Sequence, residues 1–208
     1  TRPYRGMKLE DIEILHALHE WKVEADYSSA VRLLEPFVRQ LEQKEDSLAG
    51  RNKYYRPLSY LKEKLLLWEI KQQVDSVNVG DSVRPYLKKD LLGGVYCDDG
   101  RRTYYWEGNQ LINTLIAYRI IKNDFSLWKL KENMQLYILR TKERGWNTYQ
   151  ASSAVATVLT DLLADSGGMS GTSVSVSGKD HQRITDFPYH TRLTAGDSLL
   201  ISKTGKEP

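Results

Sequence analysis

At 208 residues the chain is long enough for one full domain, or one and a half smaller ones, with a real core. Hydrophobic residues make up 40% and charged residues 27%, with five Trp and thirteen Tyr, which excludes disorder over most of the length. The net charge of +3 comes from 30 basic and 27 acidic residues mixed along the sequence, with basic blocks no longer than pairs such as Arg101-Arg102; this speaks against nucleic-acid binding.

No stretch approaches the roughly 18 consecutive apolar residues needed to cross a bilayer, so no direct membrane insertion is expected. The opening Thr-Arg-Pro-Tyr-Arg-Gly lacks the apolar region of a signal peptide. A start without Met and an end just after the strand-like Ser198-Leu-Leu-Ile-Ser202 lead to the expectation of a piece of a longer protein. A single cysteine forms no internal disulfide.

Ile14, Leu18 and Trp21 predict a helix over 8–22, and Val31, Leu34, Val38 and Leu41 a second over 29–44, with Asp26 or Ser28 as N-cap. Together they read as a helical hairpin, with Pro36 expected to kink or restart the second helix. The polar stretch 44–52 reads as a loop, Leu61, Leu65 and Trp68 carry a third helix to about Val74, and residues 83–87 read as a short helical turn. From Leu91 to Trp106 helical period is lost in a Gly- and aromatic-rich segment, read as an ordered loop in which Gly93-Gly94 turns the chain. Helices are predicted again over 109–122, 126–143 and 149–165. The first carries two apolar stripes, Leu111-Leu115-Tyr118 and Ile112-Ile116-Ile120, and so is expected to be buried on two sides. After Gly167-Gly168, a turn, the period switches from 3.6 to 2: Thr172 to Ser177 alternates, Gly178-Lys-Asp turns, and Leu199 to Ser202 forms another apolar run. The expected organisation is a helical domain over 1–166 and a strand tail over 167–208 that belongs to an adjacent β domain, since two or three strands are marginal alone.

Candidate chemistry is sparse. Cys97 is followed by Asp98 and Asp99, which disfavour a thiolate, and no local signature pairs it with His16, His19, His181 or His190. His16 and His19, with Glu20 beside them, could share a helix face, but His-x-x-His without a third ligand is more simply a surface helix, and no metal or cofactor is expected. Asp98 and Asp99 among Tyr96, Tyr104, Tyr105 and Trp106 resemble the carboxylate-and-aromatic constellation of a carbohydrate site. Asp-Asp-Gly-Arg is equally a turn sequence, which assigns the aromatics to packing and loop anchoring.

One order of features resembles a known family. Gly93-Gly94-Val95-Tyr96, then Tyr104-Tyr105-Trp106 running into a helix, then a helix ending in Arg140-Thr-Lys-Glu-Arg, then Gly145-Trp146-Asn147-Thr148 opening an Ala/Ser/Thr/Val-rich helix, is similar to the late part of the complement-like thioester domain of bacterial alpha-2-macroglobulins. Trp146 would plug the space between consecutive hairpins, Thr148 would cap the new helix, and Ala151, Ala154 and Ala156 would allow close packing. The resemblance covers about residues 91–205, including Phe187 and the run from Leu193 to Lys203. It implies a mainly α fold, an α/α toroid of helical hairpins, complete or partial, followed by a short β segment of the next domain. It also implies a non-catalytic structural and interaction domain of a secreted, periplasmic or cell-surface protease inhibitor, whose partners are proteases, met through the full-length protein, and the flanking β domains. The structural or interaction residues would be Tyr96, Tyr104, Tyr105, Trp106, Trp146 and Thr148. The family's thioester joins a Cys to a Gln three residues on; here Gly100 stands at that place after Cys97, so this segment carries no thioester and no catalytic residue. The alternative is an enzyme of the same toroid architecture acting on polysaccharide or isoprenoid substrates through Asp98, Asp99 and the neighbouring aromatics.

Overall fold

The computed structural model describes residues 6–103, 110–142, 145–165, 173–177, 181–184 and 200–204. The chain is mainly α-helical and divides into two compact units, Thr1–Leu159 and Thr160–Pro208.

The first unit begins with α1 (Glu10–Glu20) and α2 (Tyr27–Arg51). The Asp26 side chain caps α2 by accepting a hydrogen bond from the Ser29 N–H at 3.0 Å. Pro36 lies inside α2 without ending it. Having no N–H, it cannot donate to the carbonyl four residues back, which belongs to exposed Arg32, where water can reach it. The expected loop at 44–52 is instead the end of this helix. Glu, Gln, Lys, Leu and Ala are good helix formers, and buried Glu45 fastens these turns to the following connection. Its Oε2 accepts from the Tyr55 hydroxyl at 2.7 Å and the Leu58 N–H at 2.9 Å.

Helix α3 (Leu61–Asp75) stops at Ser76, whose left-handed φ of 53° breaks the helical path. The short turn predicted at 83–87 starts earlier, as α4 (Gly80–Val83), and continues as a 3-10 turn over Arg84–Tyr86. It leads into β1 (Leu87–Lys89), which pairs antiparallel with β2 (Val95–Cys97), Leu87 facing Cys97 and Lys89 facing Val95. The segment read as an ordered loop from Leu91 thus contains β2, the second strand of a hairpin, whose three residues are too few to display a period. Its turn depends on Gly94, whose N–H donates to Asp90 Oδ1 at 2.7 Å; a Cβ there would sit 2.8 Å from Asp90 Oδ2 and 3.1 Å from Tyr137 Cβ.

Helix α5 (Gln110–Ile121) is buried from Leu111 to Tyr118 and again at Ile120 and Ile121, as its two apolar stripes predict. It packs on α3, β2, α6 (Trp128–Thr141) and α7 (Thr148–Ala154). Leu115, Tyr118, Met134 and Ile138 are among the largest fully buried side chains, each apolar one contributing on the order of 1.5–3 kcal/mol by leaving water. A π turn over Val155–Leu159 follows α7 and buries Thr157 and Val158.

The second unit holds α8 (Thr160–Asp165), β3 (Ser173–Ser177), β4 (His181–Ile184) and β5 (Leu200–Thr204). The strands form an antiparallel sheet in the order β4-β3-β5, with Val176 facing Gln182 on one side and Ile201 on the other. β3 and β5 fall where the alternation and the apolar run point; β4, with the polar sequence His-Gln-Arg-Ile, has no such signal.

Candidate functional site

The residues singled out by sequence fall into two places. Around β2, Tyr96 stacks on Tyr137 of α6, ring centroids 5.1 Å apart and planes 24° from parallel, joining the hairpin to the helix. Cys97 is fully buried, and its N–H donates to Thr114 Oγ1 at 2.9 Å, while the Thr114 hydroxyl donates to the Gln110 carbonyl at 2.6 Å. Burial first, then the charges of Asp98 and Asp99, push the Cys97 thiol up to about 12, so it stays protonated and unreactive at neutral pH.

Asp98 and Asp99 work in opposite directions, as adjacent residues in a turn do. Asp98 Oδ1 accepts from the Gly100 N–H at 2.9 Å, and Oδ2 accepts from Lys88 Nζ at 3.2 Å and Gln110 Nε2 at 3.3 Å. Asp99 Oδ1 accepts from the Arg101 N–H at 3.0 Å, and Oδ2 accepts from the Ser59 hydroxyl at 2.8 Å. Gly100, with φ +74°, turns the chain directly after them. Each carboxylate thus binds one turn amide and one or more groups on another element, fixing the hairpin exit to β1, α5 and the start of α3. Backbone bonds reinforce this: Ser59 N–H donates to the Arg102 carbonyl at 2.8 Å and Arg102 N–H to that of Pro57 at 3.1 Å.

Trp146 is half-buried and its indole N–H donates to Thr141 Oγ1 at 3.0 Å, tying the connection to the end of α6. The cap of α7 is Asn147, not Thr148. Asn147 Oδ1 accepts from the Gln150 N–H at 2.8 Å, and Gln150 Oε1 accepts from the Asn147 N–H at 3.1 Å, a complete capping box. Thr148 becomes the exposed first helical residue, because the extended backbone at Asn147 already aims its amide oxygen at the free N–H groups. Tyr104, Tyr105, Trp106 and His190 lie outside the described residues, as do Gly167 and Gly168.

The second place joins His16, read from the sequence as part of a surface helix, to Glu69 and Arg119, which the sequence did not single out. His16 of α1 faces Glu69 of α3, with Nε2 2.9 Å from Oε2, and Arg119 of α5 forms a two-pronged pair with the same carboxylate, Nε to Oε1 at 2.6 Å and Nη2 to Oε2 at 2.7 Å. Glu69 is only 4% exposed. Burial alone would raise its carboxyl, but hydrogen bonds from Arg119 and His16 outweigh burial and pull it down to about 2. His19, three residues on from His16, meets the Tyr27 ring edge-on at 4.9 Å between centroids. A cavity of about 330 Å³ opens beside this cluster, lined by His16 and Glu20 of α1, Lys62 of α3, Arg119 of α5 and Tyr149 of α7. Neither Asp98 nor Asp99 lines it. His16, Glu69 and Arg119 are separated by roughly fifty residues each, and only the packing of α3 against both α1 and α5 unites them.

Comparison with protein-family models, with curated proteins and with solved structures finds no match to this chain.

Proposed function

We propose that the chain is a non-catalytic structural and interaction domain of an alpha-2-macroglobulin-like protease inhibitor. The observation that carries the non-catalytic reading is the use of Asp98, Asp99 and Cys97. Both carboxylates are engaged by turn amides and neighbouring elements, and the thiol is fully buried. A carbohydrate-type acid and base would instead face a common substrate space from two sides.

Helix packing supports the toroid part of the reading. α3 packs on α1 and α5, and α5 on α7, while α2 packs on α1 and α3, and α6 on α5. Alternate helices that adjoin one another, with the intervening ones against them, are the neighbours that stacked helical hairpins make, the unit from which a toroid would be built. In the proposed parent, the strand unit belongs to a flanking β domain and the compartment is extracytoplasmic. Proteases are met by the full-length protein, not by a pocket of this segment.

The test is to express the full-length parent protein, incubate it with endopeptidases of several classes and measure residual cleavage of a large protein substrate beside a small peptide substrate. A trapping inhibitor suppresses the first more than the second, and Asp98→Asn and Asp99→Asn leave that suppression in place. Equal cleavage with and without the parent protein rejects the inhibitory role, and loss of suppression in folded Asp→Asn variants rejects the structural assignment of the two carboxylates.

A further inference from the structure

The cluster on α1, α3 and α5 gathers an imidazole and two carboxylates, groups that bind metal ions. Arg119 directs Nε and Nη2 onto the two oxygens of Glu69, and Lys62 pairs with Glu13. Glu20, one helical turn beyond His16, brings a second carboxylate to the same imidazole, Oε1 lying 3.9 Å from His16 Nε2, beyond hydrogen-bond range. One ligand atom each from His16, Glu20 and Glu69 thus lies within 4.8 Å of the others. Two carboxylates thus converge on one imidazole, and Arg119 engages Glu69 of the two.

We propose that His16, Glu20 and Glu69 form a binding site for one divalent transition-metal ion, zinc being the chemistry that fits best. Zinc takes imidazole nitrogen and carboxylate oxygen at about 2.0–2.2 Å, which in a tetrahedron sets neighbouring ligand atoms about 3.3 Å apart. The two separations from His16 Nε2, 2.9 and 3.9 Å, bracket that value, so rotamer adjustments of half-exposed Glu20 and a slight withdrawal of His16 from Glu69 close the site. The i,i+4 spacing of His16 and Glu20 puts both on one face of α1, and Glu69 comes from the facing helix. The adjoining cavity, which His16 and Glu20 line, gives the ion entry and leaves its fourth position to water. Arg119 orients Glu69 from behind, as outer partners of metal-bound carboxylates do. Metal on Nε2 puts the imidazole proton on Nδ1. The bound ion clamps α1 to α3, a role independent of protease inhibition.

Calorimetric titration of the 208-residue chain with zinc chloride, beside thermal unfolding with and without zinc, tests the site. Wild type binds one zinc ion and unfolds at a higher temperature when zinc is present. Glu20→Gln, a half-exposed position whose change leaves the Glu69–Arg119 pair intact, binds about tenfold or more weakly and loses the thermal gain. His19→Gln, which alters the other histidine of α1, binds like wild type. Absence of binding by wild type, undiminished binding by Glu20→Gln, or loss of binding in His19→Gln overturns the proposal.

Discussion

Two groups of carboxylates hold the helical unit together by different means. At the hairpin exit, Asp98 and Asp99 bind amides two residues ahead, and Asp98 then reaches β1 and α5 while Asp99 reaches Ser59 before α3. In the helical core, Glu69 has no such local partner among its side-chain bonds and joins residues about fifty positions away on either side. The first group organises backbone that is partly exposed, where a hydrogen bond contributes about 1 kcal/mol. The second is an ion pair removed from water, where loss of one partner strands the other. Local carboxylates therefore set the path of the chain, and the distant one sets how helices meet.

That contrast can be broken most forcefully at Glu69. Glu69→Ala leaves Arg119 inside the helix packing without its carboxylate, and denaturant unfolding is expected to show a loss of about 3–5 kcal/mol. A loss below about 1 kcal/mol would mean that water reaches Arg119 and that the core and hairpin carboxylates are alike.

Thr114→Val keeps the shape of the side chain but removes the acceptor of the buried Cys97 N–H; a loss of about 1–3 kcal/mol is expected. The same strand supplies a pH test. The unfolded chain's thiol ionises near its ordinary 9.0, while in the folded protein burial and the two Asp charges hold the proton to about 12. The unfolded state therefore loses its proton first, and this contribution to stability is present below pH 9 and is lost between pH 9 and 12. Wild type should show a steeper alkaline fall in unfolding free energy than Cys97→Ala; parallel curves would show that the thiol is not sequestered.

The smallest effect belongs to the α7 cap. Asn147→Ala should lower stability by about 1 kcal/mol, and Thr148→Ala by no more than a few tenths, measured in parallel. The reverse order would restore Thr148 as the capping residue.

The difference between local and distant carboxylates also explains what was legible in the sequence. Asp-Asp-Gly-Arg reads as a turn because each carboxylate accepts from an amide two residues on, and the double stripe of α5 reads as two-sided burial because period and packing coincide. Gly145-Trp146-Asn147-Thr148 marked a helix start, but the cap was placed one residue late because both Asn and Thr suit that role and only backbone direction decides between them. The His16–Glu69–Arg119 cluster could not be read in this way. His16 reads from the sequence as one residue of a surface helix, since spacing along one helix says nothing of which residue on another helix will face it. A weak signal was present in Glu69 and Arg119, charged residues within the strongly apolar runs of α3 and α5, where a charge needs a partner.

In the proposed reading, the carboxylates most like a catalytic pair, Asp98 and Asp99, serve the fold. Urea unfolding of the double variant Asp98→Ala/Asp99→Ala tests it most directly. The account predicts a loss of about 2 kcal/mol, the sum of turn and cross-element bonds to both side chains. Unchanged or increased stability, the behaviour of residues held in place for chemistry at a cost to the fold, would contradict it.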